Sequence, residues 1–276
     1  MKSKIVLLGL LLLSLTLSAR AARIDTLSVE SRKMDRKIPV VVVVPEQALQ
    51  GKQCPVLYLL HGYGGNEHYW LRIKPELSDM ADRDGIMVVC PDGENSWFWD
   101  SLKNADSQFE TFVSSELVSY IDKHYPTVCD RKGRAITGLS MGGHGGMWLS
   151  IRHKDVFGAG GSTSGGLDIR PFPDNWDMKK QLGEMKDNPE AWEQHTVITQ
   201  LDSLKNGDLA LIFDCGENDF FYGVNKAFHE ELDKRGIFHD FIVRPGQHND
   251  RYWRNALDYQ WVFFRKFFAG YRSRLE

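Results

Sequence analysis

The stretch AITGLSMGGHGGMW, Ala135 to Trp148, decides the reading of this chain. Within it, Gly138-Leu139-Ser140-Met141-Gly142 matches G-x-S-x-G, in which a serine stands on a sharp turn between a strand and a helix. The flanks supply that context: RAITGLS reads as a β-strand and MGGHGGMWLSIRH as the helix leaving it. The glycines have a steric cause, because such a turn strains the serine backbone and leaves little room for neighbouring Cβ atoms. Ser140 is therefore a candidate nucleophile. The backbone N–H of Met141, directly after it, is a candidate donor to a developing oxyanion. His144 is close in sequence, but four residues into the helix it is expected to pack beneath or beside the turn.

Outward from this turn, the chain alternates strands and helices. RIDTLSVESRKMDRKIPVVVVVP reads as two extended segments joined by a charged turn around Lys33 to Lys37, the second being β-branched from Val40 to Val44 and stopping at Pro45. CPVLYLLHG and GIMVVCPDG are apolar runs that end in polar, turn-rich loops, and a helix is expected near Lys74 to Arg83. Phe109, Phe112, Val113, Leu117, Tyr120 and Ile121 recur at helical spacing before Pro126. LALIFDCG and FHDFIVRPG are further strands, separated by a helix over Val224 to Arg235 and followed by one over Tyr252 to Phe268. About eight strands with crossover helices imply an α/β layer fold, with a mostly parallel sheet and helices on both faces. Residues 167–207 are irregular and contain Pro171, Pro173, Trp176 and Trp192; they are expected to form an insertion over the site.

A base and an acid should follow the serine in chain order. RPGQHND offers His248 on a loop after a strand, and DCGENDFF offers Asp214 and Asp219, between which position alone does not decide. Asp250 is too local to His248 to orient it. Both loops lie at carboxyl ends of strands, where open α/β sheets place their sites. A second oxyanion donor is expected from LLHGYGG, with the Tyr63 N–H as candidate beside His61 and Gly62.

The 276 residues, 42% of them hydrophobic, suffice for one large core, and no repeat or linker divides the chain. A formal net charge of −3 without a basic run disfavours nucleic acid as a partner. Lys2 and Lys4, the apolar run Ile5 to Leu17 and the Ala19-Arg20-Ala21 site read as a signal peptide over residues 1–21, with one domain over 22–276. The expectation is a secreted or periplasmic protein without stable membrane association after signal removal. The four cysteines lack paired C-x-x-C spacing, so no metal site is expected, and no cofactor.

With these pieces placed, the chain resembles the esterase family that includes S-formylglutathione hydrolases, feruloyl and acetylxylan esterases, and mycolyltransferases. VVVVVP, PVLYLLHGYGG, VVCPDG, SWFWDS, FETFVSSELVSYID, AITGLSMGGHGG, DCGENDFF and GQHNDRYW occur in the family's order. The resemblance implies an α/β-hydrolase fold with a Ser-Asp-His triad, and the match of the family's G-x-x-D to Gly216-Glu217-Asn218-Asp219 selects Asp219. It implies an ester substrate, a small molecule or a polysaccharide carrying acetyl or feruloyl groups; an acyltransferase of the mycolyltransferase type and a thioesterase like S-formylglutathione hydrolase are the alternatives. Export disfavours the cytosolic formylglutathione hydrolases. His61, Gly62, Trp97, Trp99 and Trp176 are candidate substrate contacts, the tryptophans for stacking on sugar or phenolic rings. The run after His248 and the insertion depart from the family pattern. In this fold the strands after Cys54 and Cys129 are neighbours, which suggests a Cys54–Cys129 disulfide. Homo-oligomers are compatible with the resemblance.

Overall fold

The computed structural model describes residues 22–270, so the expected signal peptide lies outside the described residues. The strands are β1 (Arg23–Ser31), β2 (Arg36–Val44), β3 (Val56–Leu60), β4 (Met87–Pro91), β5 (Arg134–Gly138), β6 (Ala159–Thr163), β7 (Ala210–Gly216) and β8 (Asp240–Arg244). They form one sheet in the order β1-β2-β4-β3-β5-β6-β7-β8. β2 runs antiparallel to both β1 and β4, and every other pairing is parallel. The charged turn between β1 and β2 includes Asp35 at φ 49°.

Successive strand residues point to opposite faces, and the apolar runs bury both. Val40, Val42, Val56, Tyr58 and Leu60 share one core with the helical segment 109–124 and the helices Met141–Arg152 and Tyr222–Lys234. Val41, Val43, Leu57, Leu59 and Val88 share the other with the helices Leu77–Asp84 and Asp250–Phe268. This is the α/β-hydrolase arrangement expected from the sequence.

Two of the expected segments change in detail. The segment 109–124 is not a uniform α-helix, because Phe112–Leu117 widens into a π-helix. The wider turn keeps Phe112, Val113 and Leu117 buried while Glu110 accepts bonds from Trp148 Nε1 (3.0 Å) and Arg152 Nε (2.8 Å). Pro126 then acts as expected: Tyr125, before it, is extended and the helix stops at His124. The segment 167–207 is not irregular throughout. It carries short helices at Met178–Leu182, Pro189–Gln194 and Ile198–Ser203, and Leu167, Ile169, Leu182, Trp192 and Leu201 belong to the first core.

The expected disulfide does not form. β3 and β5 are indeed neighbours, but Cys54 bridges Thr127, leaving Cys129 two residues further on. Cys54 Sγ donates to the Lys52 carbonyl (3.4 Å) and Cys129 Sγ to the Thr127 carbonyl (3.6 Å), so each sulfur turns back on its own segment of chain. All four thiols are free.

Candidate active site

Ser140 joins β5 to the helix Met141–Arg152 at φ 54°, ψ −117°, a conformation that a side chain normally avoids. The turn is held from both sides. The Ser140 N–H donates to the Thr163 carbonyl (2.9 Å), and Gly142 sits so close to β3 that a Cβ there would lie 2.4 Å from the His61 oxygen and 2.5 Å from that of Leu60. Only glycine fits, which is the physical content of the second G in G-x-S-x-G. The later glycines pack the helix onto β6: a Cβ at Gly146 would meet the Gly161 oxygen at 2.4 Å.

Two loops from adjacent parallel strands meet the serine. After β7 comes Asp219 and after β8 comes His248, and the loops are tied together by Glu217 N–H to Arg244 O (2.9 Å) and Asn218 N–H to Gly246 O (3.0 Å). His248 Nδ1 is 2.9 Å from Asp219 Oδ2 and 3.0 Å from Oδ1, and His248 Nε2 is 2.9 Å from Ser140 Oγ. A carboxylate only accepts, so Nδ1 carries the proton and Nε2 offers its lone pair to the serine hydroxyl. Asp219 is fixed in turn by the Phe221 N–H, 2.8 Å from Oδ1. Directly after the histidine, the Asn249 side chain caps the helix Asp250–Phe268 by accepting from the Tyr252 N–H (3.1 Å). The arrangement can deprotonate a serine and stabilise the resulting imidazolium.

Asp214 does different work. It is fully buried, its Oδ2 accepting from Gln260 Nε2 (2.7 Å) and Thr163 Oγ1 (3.0 Å) while Arg244 lies 3.2 Å from Oδ1. Burial pushes its pKa up to about 6, against the opposing pull of those partners. It braces β6, β7 and the last helix beneath the site. Asp250 instead accepts from the Tyr69 hydroxyl (2.7 Å), away from His248.

The remaining candidates divide. His61 is buried and both ring nitrogens are occupied by backbone, Nδ1 by Gly62 O (2.7 Å) and Nε2 by Gly93 N–H (2.8 Å); it anchors the loop and has no nitrogen left for a substrate. Gly62 is pressed against the serine turn, where a Cβ would be 3.3 Å from Ser140 Cβ, so its role is close approach of the loop. Tyr63 follows directly, its ring exposed and its hydroxyl donating to Asp177 Oδ2 (2.8 Å), and the Met141 N–H opens a helix whose first turn lacks intrahelical acceptors. Trp97 and Trp99 are buried and stacked on each other, with centroids 5.6 Å apart, so they are pillars beneath the site and offer no face to a substrate. His144 packs among them, accepting from Trp99 Nε1 (2.8 Å) and bonding Gly166 O (2.8 Å), and burial lowers its pKa to about 3. Trp176 alone of the three tryptophans is partly open, stacked at 5.5 Å on Phe220.

The family model described as "Putative esterase" matches residues 31–264. The chain belongs to this esterase family. The protein is 23% identical to an acetyl esterase of Caldicellulosiruptor saccharolyticus over 260 residues, covering 84% of this chain and 95% of the relative. It is 29% identical over 223 residues to an endo-1,4-beta-xylanase/feruloyl esterase of Xylanibacter ruminicola, covering 77% of this chain but only 27% of that longer protein. Among solved structures it resembles a ferulic acid esterase with a TM-score of 0.77 and 27% identity, over 90% of this chain and 98% of the other.

One feature of this esterase was not assigned from its sequence. Phe220 and Phe221, next to Asp219, wall the base: their rings lie 4.2 and 5.5 Å from His248, with Trp253 at 4.9 Å on another side. Phe220 is about half exposed. The signal was the Phe-Phe pair in DCGENDFF, but strand and loop positions do not tell which side of a loop faces a site. A large groove lined by Phe238, Tyr259 and Phe267 lies at the other end of the sheet, and among the described residues its lining holds no serine, threonine or cysteine.

Proposed function

We propose that this esterase is an exported serine carboxylic-ester hydrolase that removes acetyl or feruloyl groups from plant polysaccharides, or cleaves short-chain esters. The observation that carries the chemistry is the hydrogen-bonded chain from Ser140 Oγ through His248 to Asp219. Ser140 Oγ attacks the acyl carbon as His248 Nε2 takes its proton, and the carbonyl oxygen, now an oxyanion, is held by the N–H groups of Met141 and Tyr63. The imidazolium, held by Asp219, protonates the leaving alcohol. Water, deprotonated by the same nitrogen, then attacks the acyl-enzyme and releases the acid and free Ser140.

The polysaccharide reading is supported by the names of relatives, an acetyl esterase and a xylanase/feruloyl esterase, and by the exposed aromatic rim of Tyr63, Trp176 and Phe220. Export is supported by Lys2, Lys4 and the Ile5 to Leu17 run ahead of Ala21. Ser140→Ala should retain the fold and abolish turnover of p-nitrophenyl acetate; undiminished turnover overturns the assignment. Acetylated xylan, methyl ferulate and short-chain esters compared side by side test the substrate class. A mature N-terminus near Ala22 in the exported fraction tests the localisation.

A further inference from the structure

At the opposite end of the sheet from Ser140, three metal-ligating side chains converge. His229 and Asp233 are one turn apart on the helix Tyr222–Lys234, and His239 immediately precedes β8. Their ligand atoms all lie within 4.8 Å of one another. His229 Nδ1 is 2.7 Å from His239 Nε2, while Asp233 Oδ2 is 3.4 Å from His229 Nε2 and Asp233 Oδ1 is 3.9 Å from His239 Nε2. His239 Nδ1 lies 2.7 Å from the Ile237 carbonyl and must carry the proton, so Nε2 presents a lone pair to the cluster. That carbonyl is the outer partner that fixes the tautomer and aim of a metal-bound imidazole.

We propose that His229, Asp233 and His239 form a binding site for a divalent transition metal of the Zn²⁺ or Co²⁺ class. Two imidazoles and one carboxylate suit these ions better than Mg²⁺ or Ca²⁺, which prefer oxygen. In a tetrahedral site with bonds of about 2.0–2.1 Å, ligand atoms stand about 3.3 Å apart. The Asp233 carboxylate oxygens stand near that value from His229 Nε2 (3.4 Å) and His239 Nε2 (3.9 Å), so a single ion takes His229 through Nε2, and the His229 ring, on a partly exposed helix face, turns out of its 2.7 Å Nδ1 contact with His239. His239 is nearly buried, its ring stacked 5.5 Å from Phe213, so it sets the position of the site, while Asp233 is exposed and leaves a path to solvent and a fourth position for water. The metal ties the helix to the start of β8, the edge strand whose far end leads to His248. It takes no part in the ester chemistry.

The test uses the full chain after chelator treatment, titrated with Co²⁺ and Zn²⁺ and followed by calorimetry, the visible absorption of tetrahedral Co²⁺, and Tm. The proposal expects one ion per chain, a higher Tm on binding, and ester turnover unchanged by the chelator. His229→Ala and Asp233→Asn, both at partly or fully exposed positions that leave the core intact, should each weaken binding by more than about tenfold, whereas His248→Ala should bind as the parent does. Absence of binding by the parent chain, or binding by His229→Ala and Asp233→Asn as tight as the parent's, overturns the proposal.

Discussion

Replacing Asp219 by asparagine separates the two acids between which chain position does not decide. The carboxylate serves two donors, the Phe221 N–H at 2.8 Å on Oδ1 and His248 Nδ1 at 2.9 Å on Oδ2. Asparagine keeps one oxygen. The Phe221 N–H is a fixed backbone donor and holds that oxygen, so the amide NH₂ takes the Oδ2 position and points at Nδ1. Nδ1 must then accept, and the proton moves to Nε2, which now donates to Ser140 Oγ and cannot take its proton. The counter-charge of the imidazolium is lost as well. By analogy with the same substitution in chymotrypsin-type triads, kcat should fall by about 10⁴, or about 5.5 kcal/mol of barrier. The assay is kcat and kcat/KM on p-nitrophenyl acetate for chains of matched circular dichroism and Tm. Asp214→Asn provides the contrast: it removes the partner of Arg244 and Gln260 and should lower Tm while leaving kcat near the parent value. A loss below tenfold for Asp219→Asn, or a larger kinetic loss for Asp214→Asn, refutes the assignment.

Gly142→Ala places a Cβ against two backbone oxygens that cannot rotate away, so it should cost about 3 kcal/mol and lower the urea midpoint; an unchanged midpoint contradicts the close approach of the serine turn to β3. His144 has its folded pKa lowered from the usual 6.5 to about 3, so between those values the unfolded chain binds the extra proton and stability drops as pH falls. His144→Gln should therefore narrow its stability gap to the parent as pH is lowered from 6.5 towards 3, measured by urea unfolding at each pH, and a constant gap would refute this. Phe220→Ala should raise KM for methyl ferulate by about two- to tenfold relative to p-nitrophenyl acetate, since one aromatic contact is worth about 0.5–1.5 kcal/mol; equal effects on both esters argue against a stacking role.

What could be read from the sequence follows from which contacts are local. The serine turn was legible because its steric demands fall on adjacent residues: Ser140 needs a strained φ, and Gly142 must touch β3. The strands were legible because both faces of the sheet are buried, which leaves unbroken apolar runs such as Val40 to Val44. From chain position alone, without the family's G-x-x-D match, the choice between Asp214 and Asp219 was not, because one ends β7 and the other lies just beyond it, five residues on. It turns on a non-local fact, the pairing of the β7 and β8 loops through Asn218 and Gly246 that aims Asp219 at His248. The tryptophans show the same limit from the other direction. Trp97, Trp99 and Trp176 have equal claims to a sugar ring by residue type, yet the first two stack on each other under the turn and only the third reaches the rim. Cys54 and Cys129 precede neighbouring strands as expected, and a displacement of two residues along the pairing is enough to keep their sulfurs apart. Strand order can be inferred from fold type, but register is set by pairs of backbone groups that leave no mark on composition. The aromatic rim beside the base follows the same rule, since Phe220 reaches His248 through a loop whose facing side is decided by register.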